Sequence, residues 1–178
     1  SPSVRLSANV DTWKVTARLN TKSSTWMLYK VRFPIFPHQK RLLQLDSFVK
    51  ALVGGFGCGK TYLLACRGIE FALRTGLPGA IVSPSLPMAK RSIIPMLDDL
   101  LLKHRIAHDW NRGDFSVTIG RGMLWILSGH KPDTLKGSNL GWVGIDEPFL
   151  QDESVYLFMM SRLRLKNKML EMVLTGTP

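Results

Sequence analysis

Cysteine is scarce in this 178-residue chain: there are two, Cys58 and Cys66. That count and spacing suggest neither a disulfide framework nor a metal site, and a reducing compartment fits them. No apolar run approaches the ~20 residues that a membrane helix needs. No signal-peptide pattern opens the chain either, so no membrane partner is expected. Carboxylates are few, 13 Asp and Glu against 24 Lys and Arg, which leaves a formal charge of +11. A surplus of that size points to a polyanionic partner, although basicity also serves solubility. Hydrophobic residues make up 45% of the chain, enough for the core of one ordinary globular domain. No internal repeat or low-complexity tract is visible.

Against these absences stands one dense motif, Val53 to Thr61, reading V-G-G-F-G-C-G-K-T. Gly54, Gly55, Phe56, Gly57, Cys58, Gly59, Lys60 and Thr61 follow the phosphate-binding P-loop pattern. Glycines let the backbone curl so that successive N–H groups point at phosphate oxygens, and the helix behind them adds its positive end. Lys60 would reach the β- and γ-phosphates, and the Thr61 hydroxyl would hold Mg²⁺. The bland alternative is a glycine-rich strand-to-helix turn. Apolar Ala51-Leu52-Val53 ahead of the loop and a helical stretch from Tyr62 to Arg74 behind it favour the nucleotide site.

A P-loop enzyme also needs an acid at the end of a neighbouring strand. Trp142-Val143-Gly144-Ile145 ends in Asp146-Glu147. Asp146 is placed to hold Mg²⁺, and Glu147 to orient and deprotonate water, the mark of hydrolysis rather than transfer. The competing reading is that Asp-Glu-Pro caps the next helix. Thr175-Gly176-Thr177-Pro178 closes a strand at the same sheet edge, where hydroxyls can sense a γ-phosphate. An arginine is also required there. Arg112, Arg121, Arg162 and Arg164 are candidates, from this chain or a neighbouring subunit, and each is also readable as a surface charge. Upstream, Phe36 and Gln39 could stack on adenine and read its edge, or serve as core packing and a helix start.

Along the rest of the chain, residues 1–33 alternate partly around Asn20 to Ser24 and form either a hairpin or an arm that pairs elsewhere. A helix carrying Leu42, Leu45, Phe48 and Val49 on one face follows Pro37. Ala80 to Val82 reads as a buried strand, and Pro87 to His104 as a helix kinked or divided at Pro95. Phe115 to Ile119 and Met123 to Leu127 flank Gly120-Arg121-Gly122 as a β-hairpin. Alternating strands and helices around a P-loop predict an α/β fold: a RecA/ASCE-like P-loop NTPase, its mostly parallel sheet sandwiched by helices, with a β-hairpin insertion. The domain division is residues 1–33 as an N-terminal arm or hairpin and 34–178 as the P-loop ATPase domain, read as incomplete.

Residues 34–178 resemble the ATPase domain of a large terminase subunit, the DNA-packaging motor of tailed bacteriophages. The resemblance lies in the P-loop, Pro132-Asp133-Thr134-Leu135-Lys136-Gly137, Ile145-Asp146-Glu147 and Thr175-Gly176-Thr177-Pro178, with Phe36-Pro37-His38-Gln39 similar to the family's adenine-recognition segment. It implies an Mg²⁺-dependent ATPase that drives double-stranded viral DNA into a procapsid. Lys60 and Glu147 would be catalytic, Thr61 and Asp146 would bind metal, and Thr175, Gly176 and Thr177 would couple hydrolysis to movement. It also implies a homo-oligomeric ring on the portal protein, helped by a small terminase subunit, in the bacterial host cytoplasm and transiently at the procapsid portal. Two departures matter: Phe56 stands where many relatives carry Arg, and Lys136 replaces an Arg, losing its bidentate fork. The family's nuclease domain is not expected within these residues, nor is nuclease activity from this segment. The rival readings are a superfamily-two helicase-like translocase, which needs a second RecA-like domain, and a P-loop switch module, against which Glu147 argues.

Overall fold

In the computed structural model, residues 10–20, 26–130 and 138–178 are described. Strands β1 (Asp11–Asn20) and β2 (Trp26–Ile35) form an antiparallel ribbon, with Trp13 opposite Phe33 and Val15 opposite Val31. Helix α1 (Pro37–Gln44) leads to β3 (Val49–Val53), the P-loop and α2 (Lys60–Thr75). Then come β4 (Pro78–Ser83), α3 (Leu86–Arg91), α4 (Ile93–Lys103), β5 (His108–Asn111), β6 (Ser116–Ile119) and β7 (Gly122–Ser128). Strand β8 (Trp142–Asp146), α5 (Glu153–Arg162) and β9 (Glu171–Gly176) complete the fold. The main sheet has the order β3-β9-β8-β4-β7-β6-β5. Its first five strands run parallel, while β6 is antiparallel to both neighbours. The expected hairpin is therefore continuous with the sheet, because β7 pairs directly with β4.

Side chains alternate across the sheet as a strand's period of two requires. Ile81, Leu124, Trp142 and Val173 pack into one apolar cluster with α2 and α4, whereas Val82, Val143, Ile145 and Met172 pack with α5 on the other face. Helix α2 is buried almost all round, from Leu63 to Leu73. That composition suits a helix sandwiched between sheet and ribbon. Gly68 allows the close approach: a Cβ there would lie 3.0 Å from Leu124 and 3.4 Å from both Ile81 and Trp142. The helix ends at Gly76, whose positive φ of 65° lets its N–H reach the Ala72 carbonyl. No helix among the described residues is long and apolar enough to cross a membrane.

Two local expectations need correction. The helix after Pro37 stops at Gln44, leaving Leu45 and Phe48 exposed and sending Val49 into β3. A longer helix would leave no chain to reach the start of the edge strand. The second long helix is divided at Ser92 rather than Pro95. Pro95 then lies in the first turn of α4, where a missing N–H costs nothing.

The sequence motifs give no sign of a buried charge network that ties these layers together. Arg67 donates from Nε to Glu171 (2.5 Å) and from a terminal nitrogen to Glu70 (2.8 Å). Lys50 lies 2.6 Å from the other Glu171 oxygen. The indole N–H groups of Trp142 and Trp13 donate to Glu171 and Glu70, respectively. Helix α2 is thus joined to β3, β8, β9 and the ribbon. Burial alone would raise the Glu171 carboxyl, but Arg67 and Lys50 outweigh it and hold it below the usual glutamate value. The stabilisation from this group is complete above the ordinary glutamate range and is lost as pH falls through the depressed value. Replacing Glu171 leaves the buried Lys50 without its carboxylate and Arg67 with Glu70 alone. Glu171→Ala should therefore cost about 3–5 kcal/mol in urea unfolding at neutral pH, and a wild-type midpoint would contradict the network's role.

Candidate functional site

The carboxyl ends of β3, β9 and β8 lie side by side because all three strands are parallel and in register. Val53 at the end of β3 feeds the P-loop. The loop turns at Gly57 and Gly59, with φ of 80° and 78°, values that L side chains rarely adopt. Lys60 opens α2, is 8% exposed, and donates to the Gly54 and Gly55 carbonyls at 2.6 and 3.0 Å. Its ammonium is thereby held inside the curl of the loop. Thr61 follows, half-buried, in the first helical turn, and Phe56 at the loop tip is 96% exposed.

Strand β9 joins the loop to the acidic pair. The Gly54 N–H donates to the Gly176 carbonyl (3.0 Å), and the Glu147 N–H donates to the Thr175 carbonyl (2.6 Å). The buried Thr175 hydroxyl donates to Asp146 Oδ1 at 3.1 Å. Thr177 grips both oxygens of Glu147, its hydroxyl at 2.7 Å and its N–H at 2.8 Å. Glu147 itself sits at φ 47°, a left-handed conformation that costs about 1–3 kcal/mol in a residue with a side chain. Burial pushes the Asp146 carboxyl above its usual value; the Thr175 hydroxyl pulls it back, Glu147 adds to the rise and Lys60 opposes it. Gln151, on the turn after β8, donates to the Asp146 carbonyl at 2.7 Å.

The donors that could hold a cation here are oxygens, the Thr61 hydroxyl and the Asp146 carboxylate, and hard divalent ions prefer such ligands. Among the described residues, no group of three or more His, Cys, Asp or Glu side chains is gathered as a protein cage. Two protein oxygens completed by phosphate and water fit Mg²⁺, which is ordinarily bound that way.

Gln39 has a different position from the one expected of a base-reading residue. It is 1% exposed, its oxygen accepts from the Phe36 N–H (2.8 Å), and its nitrogen donates to the Cys58 and Gly59 carbonyls (3.3 and 3.0 Å). Both of its donors and one lone pair of its oxygen are engaged inside the protein, so here it clamps the P-loop to α1. A Cβ at Gly59 would collide with the same amide. His38, which the sequence did not single out, lies 3.2 Å from the Cys58 carbonyl and stacks on half-buried Phe36. The local pattern gives no hint of these contacts, since the partners are about twenty residues apart.

None of the four candidate arginines meets the loop in this chain. Arg121 lies in the β6–β7 turn and packs on Gly76, at the far end of a 16-residue helix about 24 Å long. Arg162 and Arg164 exchange backbone bonds with Leu140, which precedes β8 and so lies at the opposite sheet edge from Asp146. Arg112 follows β5, four strands or about 19 Å from β8, and pairs with Asp98 at 3.2 Å. The stretch Pro132 to Gly137 lies outside the described residues. The Gln39 clamp is directly testable: Gln39→Ala removes three hydrogen bonds and should lower stability by about 1–3 kcal/mol. Amide exchange should then rise in residues 54–60 above the rest of the chain, and uniform protection there would contradict the clamp.

No protein-family model and no curated protein sequence matches the chain. Solved structures do. The large terminase of a thermophilic bacteriophage superposes with a TM-score of 0.69 at 17% identity, covering 82% of this chain and 40% of that one. A Thermus phage large terminase ATPase domain gives 0.63 at 15% identity, covering 79% and 63%. The large terminase of bacteriophage HK97 gives 0.65 at 13% identity, covering 81% and 33%. The chain thus spans 40% of the length of the first of these proteins. At such identities the likeness concerns architecture alone: this chain has the fold of the ATPase domain of phage large terminases, a mostly parallel RecA/ASCE-like P-loop sheet.

Proposed function

We propose that residues 34–178 form an ATPase domain that binds ATP and Mg²⁺ at the carboxyl edge of the sheet and hydrolyses the nucleotide to move double-stranded DNA into a viral procapsid. The observation that carries this reading is the hydrogen-bonded edge itself. The P-loop is bonded to Gly176, Asp146 to Thr175 and Glu147 to Thr177, which gathers the parts of a hydrolytic site around one strand end. A terminase of this fold from a thermophilic phage has been solved with ADP and with ATP-γ-S. The net charge of +11 suits a polyanionic track.

In this mechanism Lys60 exchanges the Gly54 and Gly55 carbonyls for phosphate oxygens, and loop N–H groups bind the rest. Phe36 stacks on the base while Gln39 holds the loop. Thr61 and Asp146 would hold Mg²⁺, which when bound offsets the phosphate charge. Glu147 accepts a proton from the water that attacks the γ-phosphorus; the bond to the bridging oxygen breaks, and ADP and phosphate leave. Thr177 is a positioning residue that aims both oxygens of Glu147. Thr175, Gly176 and Thr177 couple the chemistry to movement, because β9 lies between the loop strand and the acidic strand. An arginine from a neighbouring subunit completes the site, a role favoured by the distant placement of Arg112, Arg121, Arg162 and Arg164. The assembled motor is a homo-oligomeric ring on the portal protein, working with a small terminase subunit in the bacterial host cytoplasm.

Hydrolysis by the wild-type chain should rise when duplex DNA is added. Glu147→Gln should lower the turnover rate about 10²–10⁴-fold while leaving nucleotide binding in place. Turnover that survives the substitution would remove Glu147 from the mechanism, and a rate indifferent to DNA would remove DNA as the track.

A further inference from the structure

The ribbon of β1 and β2 takes no part in the site. One of its faces, with Val15, Val31 and Phe33, is buried against the helices. The alternate positions Lys14, Thr16, Arg18, Lys30 and Arg32 are exposed. The pairing register sets Lys14 opposite Arg32, Thr16 opposite Lys30, and Arg18 opposite Leu28. Three successive rungs on one face thus carry four cations, and Arg18 lies about 13 Å along the strand from Lys14. Among the described residues none of these cations makes an ion pair. The ribbon's described carboxylate, Asp11, sits at its end and is paired with Lys40 at 2.7 Å.

Like charges directly opposite one another oppose strand pairing. The fold keeps Lys14 against Arg32 with no compensating carboxylate among the described residues, which points to an external polyanion. Each strand has ten residues, about 33 Å, close to one turn of a duplex. A two-stranded ribbon also has the width that the major groove of B-DNA admits. The Thr16 hydroxyl adds a phosphate donor.

We infer that the outer face of the β1–β2 ribbon, through Lys14, Arg18, Lys30 and Arg32, docks on the phosphates of duplex DNA. The inference rests on the motor reading for its choice of a duplex, and it names the surface where that duplex meets this chain.

The test is fluorescence anisotropy of a labelled random-sequence duplex titrated with the full chain across about 50–200 mM salt. A variant combining Lys14→Gln, Arg18→Gln, Lys30→Gln and Arg32→Gln should bind more than tenfold more weakly at about 50 mM. The slope of log affinity against log salt should become shallower by about 3–4. A control combining Lys103→Gln, Lys166→Gln and Lys168→Gln, exposed cations away from the ribbon, should keep its slope within about 1 of wild type. The ribbon variant should melt at or above the wild-type temperature, since the Lys14–Arg32 repulsion is gone. An unchanged slope in the ribbon variant, an equal loss in the control, or a lower melting temperature would overturn the inference. So would binding of the wild type to anionic phospholipid vesicles but not to the duplex. Basal ATP hydrolysis, measured in parallel, separates the two ideas: a chain that holds duplex through the ribbon yet hydrolyses nothing defeats the motor reading and leaves this one standing.

Discussion

Strand β9 runs parallel to both its neighbours, the P-loop strand β3 on one side and the acidic strand β8 on the other. A one-residue slip of its register would turn every side chain to the other face and separate the loop from the acids. The buried network around Glu171, at the start of the same strand, fixes that register from below. Lys50 reaches Glu171 from β3, Arg67 from α2 and Trp142 from β8. The amino end of β9 is therefore a structural anchor and its carboxyl end a chemical one.

Two features of the acid pair bear on its chemistry, although Arg105 and Phe115 also hold positive φ and the buried Ser83 hydroxyl has no hydrogen-bond partner among the described residues. Glu147 adopts a left-handed backbone conformation, and Asp146 is buried with a carboxyl pushed above its usual value. Both concern the acid pair, and both are consistent with a site whose full complement of partners includes a cation and phosphate oxygens. The ribbon's cations, which make no ion pair among the described residues, are a second departure, on a different surface.

Much of the carboxyl edge was legible in the sequence because its chemistry is local. Glycines at positions of positive φ mark the loop, and an all-apolar strand ending in Asp-Glu marks its neighbour. The sandwich was legible too, since strands and helices alternate with clear periods. Contacts between distant segments were not. Gln39 carries the composition of a base-reading residue, yet its partners lie in the loop some twenty residues on. The four arginines could not be sorted without knowing at which end of the sheet each turn falls. The Arg67–Glu171 pair joins residues 104 apart, and the clearest local trace was charge at Arg67 and Glu70 in an otherwise apolar helix. Pro95 misled because a proline within a helical pattern reads as a break, whereas the chain had already broken at Ser92.

The central claim is that Lys60, held in the curl of the P-loop, belongs to a nucleotide triphosphate site. Calorimetric titration of the wild-type chain and Lys60→Ala with Mg²⁺ and ATP-γ-S tests it most directly. The account predicts saturable one-site binding by the wild type and at least a tenfold loss in the variant, about 1.4 kcal/mol or more. Equal affinity in the two proteins, or no binding by the wild type, would contradict it.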